Sequence, residues 1–591
     1  MFGTALRPGT VFIIIGMILG AGATARAGEV LLQPNQALLQ PYQSLLQHEQ
    51  MLEDLRYLST TLKEAHPALA DRAAQQDFAA RSEALSSQLR NPLPAWEFFA
   101  IANKLVNSLQ DAHTRLLPPS EGLLPVHLTW VEDGLVVTRV LDPSLPVLKG
   151  DELISLGGHT PDQLLEDLSL WIPHGNPYWV KALSGQYLQN PLVLRGLGLI
   201  TPSGTVQIMV RRPNPAASGQ STSSPLISAE VPLWGRFTVV QTSMVTDATT
   251  GRTFSPAAEA GLQPGDQILS AGGNPIHSSD DLARAIQQYG RDGRNLPLEV
   301  LRRGQRIMIS VRPAATREPG ASAQTQLVYR IGASLGQPLV PTRPWFGWKI
   351  DQPHGYGLFW LDECNDTKEY RQAVEQFFAA VRKEGIQRIA IDLRLNGGGN
   401  SMVINAFLKH LPYKDLRAGY RCTRFSTQFS QQRGLGVRIL TYLGQTLFPG
   451  HWMPVWKAPA DQLFQGQVYV LTSWNTFSSA TDFAALLSDN HIAQIVGEPT
   501  GGAPTQYGDI LNFRLPNTGW YFNVSTTRFI RPDPTRPGES VYPDIPIPTK
   551  MRDIREGRDP VLEWLKASYD GPKSISMSSS RESASLISRS F

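Results

Sequence analysis

The stretch that decides the fold of the second half of this chain is residues 468–484, which read VYVLTSWNTFSSATDFA. An apolar run predicts a buried strand, a short polar turn follows, and apolar residues then recur at helical spacing. Ser478 falls where the helix begins, and a helix N-terminus presents free backbone N–H groups that can stabilise an oxyanion. Serine at a helix start is most often an N-cap, so the stretch alone leaves a nucleophile and a cap both open.

A second informative stretch lies about eighty residues earlier, at residues 389–400, which read IAIDLRLNGGGN. A buried strand ends here in a glycine-rich turn, and glycine permits a positive φ and close approach of the backbone to a substrate carbonyl. Such a turn could instead cradle a phosphate, but the Lys-Ser/Thr of a nucleotide-binding loop is missing. The pattern therefore favours Gly398 as an oxyanion donor, with Gly399 behind it.

Both stretches resemble the C-terminal processing, or tail-specific, serine protease family. In that family the nucleophile lies in a Ser-rich turn before a helix and a Gly-Glu-Pro-Thr strand end, which is residues 497–500 in this chain. The resemblance implies that Ser478 is the nucleophile and that the N–H of Ser479 is an oxyanion donor. It also implies a crotonase/ClpP-like α/β spiral as the catalytic core, protein or peptide substrates, and no metal or organic cofactor.

The general base departs from the best-known branch of the family, which uses a lysine where this chain has Ala503. A serine hydroxyl needs a base near neutral pH, so another group must serve. Residues 111–114 read DAHT, which resembles the tricorn-core-like branch with a Ser-His-Glu arrangement and makes His113 the expected base. Residues 538–545 read GESVYPDI, and Glu539 is the nearest match to that branch's orienting glutamate. A solvated loop acid is the alternative for Glu539.

The loss of the lysine keeps a second hypothesis open, a catalytically inactive ligand- or peptide-binding protein on the same scaffold. The two hypotheses differ in whether His113 can reach Ser478 at about 2.6–3.2 Å, or somewhat further in an unliganded enzyme.

A peptide-binding module is predicted upstream of the core. Residues 255–269, SPAAEAGLQPGDQIL, and residues 272–276, GGNPI, resemble bacterial PDZ domains. A PDZ fold offers a strand edge and a carboxylate-binding turn, so a chain end can add as a strand. The turn is expected at Gly235, Arg236 and Phe237. A module that is structural and binds nothing is the alternative.

The chain is expected to be a mixed α/β, multidomain protein with a helical N-terminal domain and one or two β-rich PDZ-like domains. The predicted divisions are a signal peptide at 1–27, a flexible lead at 28–47, the helical domain at 48–122, a degenerate PDZ-like domain at 123–212, a linker at 213–227, the PDZ domain at 228–314, the peptidase core at 326–568 and a disordered tail at 569–591.

Composition and the N-terminus bear on partners and location. A net charge of +3 over 591 residues provides no basic field for nucleic acid. Arg7, an apolar run at 11–19 and Ala25-Arg26-Ala27 have the layout of a cleavable signal, which predicts a periplasmic or secreted protein with no stable membrane span after cleavage. Cys364 and Cys422 could pair or stay as thiols, and the sequence indicates no oligomeric state.

Overall fold

The computed structural model describes residues 45–119, 122–213, 224–235, 237–276, 278–316, 328–331, 333–335, 343–434, 445–449 and 457–568. The predicted signal segment, most of the lead, most of the linker, Arg236 and the predicted tail lie outside these residues.

The N-terminal region is helical, as the apolar spacing predicts. Its elements are β1 Leu45–Leu46, α1 His48–Ala65, α2 Arg72–Ser86, β2 Leu93–Pro94 and α3 Ala95–Asn107. Leu55, Leu58 and Leu62 recur every three or four residues on α1, and all three are fully buried. The Asp71 side chain accepts the Ala74 N–H and caps α2.

The next region contains a five-stranded antiparallel sheet in the order β5-β6-β7-β8-β9. Its elements are β3 Arg115–Leu116, β4 Gly122–Leu123, β5 Val126–Val131, β6 Gly134–Val140, β7 Glu152–Leu156, α4 Pro161–Ser169, α5 Pro177–Gln189, α6 Pro191–Gly196, β8 Thr205–Arg211 and β9 Leu226–Pro232. The strand β9 pairs with β8 along its whole length, so this sheet extends past the predicted linker at 213–227. The Pro/Ser/Gly-rich composition of residues 213–227 predicts a linker, but it cannot show that the following strand, β9, pairs with β8.

Three helices, α4, α5 and α6, occupy the middle of this region, and residues 173–176 between α4 and α5 are not helical. A proline stands in the first turn of each of these helices, where its missing N–H costs no hydrogen bond. The residue before each proline caps its helix through a side-chain oxygen; these residues are Thr160, Asn176 and Asn190.

The PDZ region has a four-stranded sheet in the order β15-β14-β16-β17. Its elements are β10 Trp234–Gly235, β11 Val239–Thr242, β12 Val245–Thr246, β13 Thr253–Phe254, α7 Pro256–Glu259, β14 Gln267–Ala271, β15 Asn274–Pro275, α8 Ser279–Arg291, β16 Leu296–Arg302, β17 Gln305–Val311, β18 Ala314–Thr316, β19 Val328–Arg330 and β20 Ala333–Leu335. Arg303 and Gly304 both have a positive φ and form the tight turn between β16 and β17.

The C-terminal region is the α/β core. Its elements are β21 Phe346–Asp351, β22 Tyr356–Leu361, α9 Lys368–Lys383, β23 Arg388–Asp392, α10 Val403–Leu408, β24 Tyr420–Arg424, α11 Thr427–Arg433, β25 Gln445–Pro449, β26 Gln467–Thr472, α12 Ser479–Asp489, β27 Gln494–Gly497, β28 Gln506–Arg514, β29 Tyr521–Ile530, β30 Ile545–Pro546, α13 Met551–Glu556 and α14 Pro560–Ala567. The mixed α/β, multidomain prediction is confirmed.

Two sheets of the core position the site. A six-stranded sheet runs β21-β22-β23-β26-β27-β30, and its strands are parallel from β22 onward. Because β23 and β26 are parallel neighbours, the glycine-rich turn after β23 and the serine turn after β26 leave the sheet at the same edge. A second sheet contains β24, β25, β28 and β29, and the short strand β3 pairs with β29 through Leu116 and Phe522. The pairing ties the segment after α3 to the core.

The structure also bears on two questions from the sequence, membrane spans and the pairing of the two cysteines. Among the described residues, no helix combines the length and the apolar character needed to cross a bilayer. Cys364 and Cys422 are not joined by a disulfide, and Cys364 is buried with its Sγ 3.5 Å from Asn396 Oδ1.

Candidate active site

Ser478 occupies a strained turn between β26 and α12. Its φ of 54° and ψ of −127° lie in a backbone region that residues other than glycine rarely adopt. Its side chain makes no capping hydrogen bond to α12. The N-cap alternative is therefore wrong. Strained conformations of this kind cost about 1–3 kcal/mol and persist only where surrounding contacts enforce them.

Hydrogen bonds on both sides of Ser478 hold this turn. Its carbonyl accepts the Asp482 N–H at 3.0 Å and the Gln506 Nε2 amide at 3.4 Å. One residue earlier, the Phe477 N–H donates to the Asn396 carbonyl at 3.0 Å, which ties the serine turn to the glycine-rich turn. The backbone around Ser478 is thus bonded to α12, to β28 and to the loop after β23.

An aromatic stack joins three regions of the chain beside the serine. The Phe477 ring lies between Trp179 of α5, at a centroid distance of 3.8 Å, and His113, at 4.5 Å, with interplanar angles of 11° and 29°. His113 and Ser478 are 365 positions apart (478 − 113) in sequence. The fold therefore brings the predicted base next to the residue that precedes the predicted nucleophile.

The backbone N–H groups near Ser478 differ in whether they are engaged. The Gly398 N–H donates to Asn396 Oδ1 at 2.8 Å, so the donor favoured from sequence already has a partner. Across the hydrogen bonds of the described residues, none uses the N–H of Gly399 or of Ser479. The Ser479 hydroxyl donates to the Gly399 carbonyl at 2.7 Å and links these two residues. Within the described residues, Gly399 and Ser479 therefore have unengaged N–H groups, whereas Gly398 does not.

His113 is buried, with 12% of its side chain exposed, and neither ring nitrogen has a hydrogen-bond partner among the described residues. The hydrogen bond to Ser478 that a triad requires is thus not formed in this structure. Burial lowers the pKa of His113 to about 4, opposed by the charge of Asp111 and assisted by that of Arg115. The imidazole is neutral at pH 7 and able to accept a proton.

Glu539 does not lie where the sequence predicted. Its side chain is exposed and accepts the Tyr542 hydroxyl at 3.1 Å, while its carbonyl accepts the Asn176 Nδ2 amide at 2.6 Å. It makes no contact with the His113 ring, so the structure supports the alternative of a loop acid. The motif match could not show the direction of the Glu539 side chain.

The carboxylate that faces His113 is that of Asp111, whose Oδ1 lies 3.9 Å from the ring Nδ1. Burial alone would raise the pKa of Asp111, but hydrogen bonds from His66 and Ser525 and the charge of His66 hold it below its ordinary value. The same carboxylate accepts the backbone N–H of His113 at 2.9 Å. Sequence reasoning quoted Asp111 only as part of a motif; its place two residues before His113 was the available signal for a side-chain-to-backbone turn.

Two of the three residues predicted to bind peptide ends in the PDZ region, Gly235 and Phe237, have structural partners. Gly235 is buried and pairs with Gly122 between β10 and β4, and the Phe237 carbonyl accepts the Ile268 N–H at 3.1 Å. Arg236 lies outside the described residues. A peptide-binding role for this turn stays a prediction.

Asp482, one turn into α12, is a buried acid that sequence reasoning missed. Its Oδ1 accepts the Gln506 Nε2 amide at 2.9 Å, and this amide also reaches the Ser478 carbonyl. Burial raises the pKa of Asp482 from 3.8 to about 7, with the Gln506 hydrogen bond opposing the shift. The carboxyl thus changes charge near neutral pH directly behind the serine turn.

The stability of the protein should depend on the titration of Asp482. Since the folded state holds this proton up to about pH 7 and the unfolded chain releases it near 3.8, the stabilisation is complete below pH 4 and is lost as the pH rises toward 7. As the pH is raised from 4 to 8, the free energy of unfolding of Asp482→Asn should therefore gain up to about 4 kcal/mol relative to that of the wild type. Urea unfolding at both pH values measures this. The exposed Asp461→Asn is the matched control, and an equal pH dependence in Asp482→Asn and wild type would contradict the prediction.

Fold and site together define a mixed α/β protein with a serine on a strained strand-to-helix turn, facing a glycine-rich loop at the edge of a parallel sheet. Comparison with known proteins names its parts. Residues 358–547 match the model of peptidase family S41, and residues 248–302 match that of the PDZ domain. The α/β core thus contains an S41 peptidase domain, and the β-rich module before it is a PDZ domain, which confirms both predicted resemblances.

Individual relatives match over shorter stretches. The carboxy-terminal processing protease CtpB of Bacillus subtilis (strain 168) is 25% identical over 200 residues, 32% of this chain and 36% of the relative. A probable periplasmic serine endoprotease DegP-like of Pseudomonas savastanoi pv. phaseolicola (strain 1448A / Race 6) is 46% identical over 65 residues, 11% of this chain and 13% of the relative. The chain matches only 13% to 36% of the length of the four curated relatives.

The fold has a counterpart among solved structures. Mature CPAF complexed with lactacystin superimposes with a TM-score of 0.51 at 15% identity, covering 88% of this chain and 97% of that chain. At this identity the likeness concerns the fold alone. The multidomain arrangement over most of the chain is therefore shared with a solved structure.

Proposed function

We propose that this chain is an exported serine peptidase that hydrolyses peptide bonds of protein or peptide substrates through an acyl-enzyme. The observation that carries the proposal is the strained Ser478 turn, which places a hydroxyl beside two unengaged backbone N–H groups and one residue from a stacked, neutral histidine. An inactive binding protein would have no need for backbone strain at this serine.

In the proposed mechanism Ser478 Oγ attacks the scissile carbonyl while a ring nitrogen of His113 takes the hydroxyl proton. The oxyanion that forms accepts hydrogen bonds from the N–H groups of Gly399 and Ser479. His113 then passes the proton to the leaving amine. Water next attacks the acyl-enzyme while His113 takes its proton, and His113 returns that proton to Ser478 Oγ as the acid product leaves. The ionised Asp111 stabilises the imidazolium from 3.9 Å, the role that sequence reasoning had given to Glu539.

Substrate binding must bring His113 and Ser478 into hydrogen-bond contact, because the unliganded structure has no such bond. Catalytic hydrogen bonds are often long or poorly aligned before substrate binds. Within the described part of the chain, neither ring nitrogen of His113 has a hydrogen-bond partner, so rotation of the ring toward Ser478 breaks no hydrogen bond of the ring.

The nucleophile can be tested by covalent labelling. A fluorophosphonate probe should modify the protein once per chain, and peptide mass spectrometry should place the adduct on Ser478, with labelling absent in Ser478→Ala. Cleavage of unfolded casein should disappear with the label. A protein that takes up no probe and leaves casein intact would instead be the binding protein of the second hypothesis.

The glycine-rich loop offers a matched pair of variants. A Cβ on Gly398, whose φ is 99°, would lie 2.5 Å from Ser478 Cβ and 2.9 Å from the Phe477 carbonyl oxygen, whereas a Cβ on Gly397 meets no atom within 4 Å. Gly398→Ala should lower kcat/KM by about 10²-fold or more and the free energy of unfolding by about 1–3 kcal/mol. Gly397→Ala should leave both near wild type. Equal effects of the two variants would show that the loop does not closely face the serine.

Export and substrate delivery have separate tests. N-terminal sequencing of the mature protein should begin at Gly28, after the predicted cleavage site at Ala27. A PDZ domain that delivers chain ends should make hydrolysis of an unfolded protein faster with a free than with an amidated C-terminus.

A further inference from the structure

The strand edge that a PDZ domain offers to a peptide is already paired in this protein. The strand β11 pairs with β20 in antiparallel orientation, with Val239 opposite Leu335 and Thr242 opposite Ala333. On its other side the Val239 N–H donates to the Asp266 carbonyl at 2.8 Å. A peptide cannot add to this edge of β11 as a strand while β20 remains in place, because β20 already occupies it.

The helix α8 holds the segment before β20 through one side chain. Gln287 Nε2 donates to the Tyr329 carbonyl at 2.8 Å, and the Tyr329 N–H donates to Gln287 Oε1 at 3.1 Å. A Cβ on Gly290, one turn further along α8, would lie 2.2 Å from the Tyr329 ring. The amide of Gln287 thus satisfies both backbone groups of Tyr329, as a neighbouring strand would.

A third contact buries the segment in the PDZ core. Ile331 is 4% exposed and belongs to the same apolar cluster as Val239 and Leu282, and its carbonyl accepts the Ala257 N–H at 2.8 Å. Residues 328–331 and 333–335, hereafter the groove segment, therefore contact β11, α7 and α8. An open cavity of about 420 Å³ remains beside the segment, lined by Met244, Ile286 and neighbouring residues.

The groove segment runs in the direction expected of a bound chain end. Leu335 lies opposite Val239, at the end of β11 nearest the turn that the sequence analysis assigned to a terminal carboxylate. The segment precedes Phe346, the first residue of β21 in the peptidase core, by eleven positions (346 − 335). Its release would add the groove segment to the stretch of sequence that joins the PDZ domain to that core.

We propose that the groove segment is an intramolecular ligand of the PDZ domain, and that an extended peptide with a free carboxylate binds only after the segment has left. A tethered ligand competes at an effective concentration of about millimolar, so an added peptide meets a large apparent loss of affinity. The groove is then filled by the segment at rest and becomes available to an added peptide when the segment leaves. This inference rests on the contacts within the PDZ domain and not on the proposed catalytic chemistry.

The test measures binding in the Ser478→Ala background, so that cleavage plays no part. The probe is a fluorescent octapeptide with the sequence of residues 328–335, VYRIGASL, and a free carboxylate. Ile331→Asp in the chain would place a charge at a buried position and expel its own segment, so the probe should bind at least about tenfold more tightly than to the parent. Met308→Asp, at a position 66% exposed on β17, is the matched control and should bind like the parent.

A reversible staple keeps the inference testable if Ile331→Asp does not fold. Gln241 and Ser334 are opposite each other in the β11–β20 pair, so Gln241→Cys with Ser334→Cys should form a disulfide. The oxidised protein should bind the probe at least about tenfold more weakly than the reduced protein, and Gln241→Cys alone should show no redox dependence. Failure of the disulfide to form, equal binding by locked and reduced protein, no gain in folded Ile331→Asp, or no binding to any form would each overturn the inference.

Discussion

Ser478→Ala is expected to lower kcat/KM by about 10⁴- to 10⁶-fold while leaving the fold intact, because it removes the attacking oxygen and nothing else. Alanine fits the φ of 54° no worse than serine, and the hydrogen bonds that hold the turn use the backbone carbonyl of this residue. Hydrolysis of casein gives the rate, and near-ultraviolet circular dichroism monitors the tertiary structure.

The neighbouring Ser479→Ala is the matched control for the nucleophile. It keeps the backbone N–H proposed as an oxyanion donor and loses only the hydroxyl that donates to the Gly399 carbonyl at 2.7 Å. A loss of about tenfold is expected, since one hydrogen bond that positions the glycine loop is worth roughly 1.4 kcal/mol. A larger loss in Ser479→Ala than in Ser478→Ala would exchange the roles of the two serines.

His113→Asn is expected to lower kcat by about 10³-fold or more, with KM little changed, because it removes the group that takes the proton in the transition state. His410→Asn is the matched control: His410 is also buried and also stacks on a phenylalanine, Phe378, at 4.4 Å. It should reduce stability without a comparable loss of kcat. Equal effects on kcat would indicate that His113 has only a structural role.

The pH dependence of the wild type provides a second test of the base. Hydrolysis needs neutral His113, and its pKa of about 4 means that kcat/KM falls only as the pH drops through that value. The profile should therefore lack an acid limb near 6.5, the ordinary value for histidine. A limb at 6.5 that disappears in His113→Asn would mean that the ring is more hydrated in solution than in this structure.

Local sequence was sufficient for the serine turn. A strand of apolar residues, a short polar turn and a helix are specified within about twenty residues, and each follows from the period of its own side chains. The glycine-rich turn and the PDZ motif could be predicted on the same basis. The helices at residues 161–196 were missed because proline predicts a turn and a helix start equally well.

The partners of the serine could not be derived in this way. The motif did not specify which carboxylate faces His113: the Asp111 side chain accepts the His113 N–H and lies 3.9 Å from its ring, while Glu539 stays at the surface. Whether the Gly398 N–H is free depends on the direction of the buried Asn396 side chain. Each of these contacts spans only two residues, but the direction in which the side chain points is set by the packing around it, which the local pattern does not specify.

The sequence by itself thus determined the kind of protein: an α/β core with a serine turn, a glycine-rich loop and a PDZ module, each encoded by neighbouring residues. Only the tertiary structure decided that Ser478 is strained rather than a helix cap, that Asp111 accompanies His113, and that the groove segment fills the PDZ edge. The physical reason is that strain, burial and strand pairing are properties of packed surfaces, which exist only once distant segments have come together.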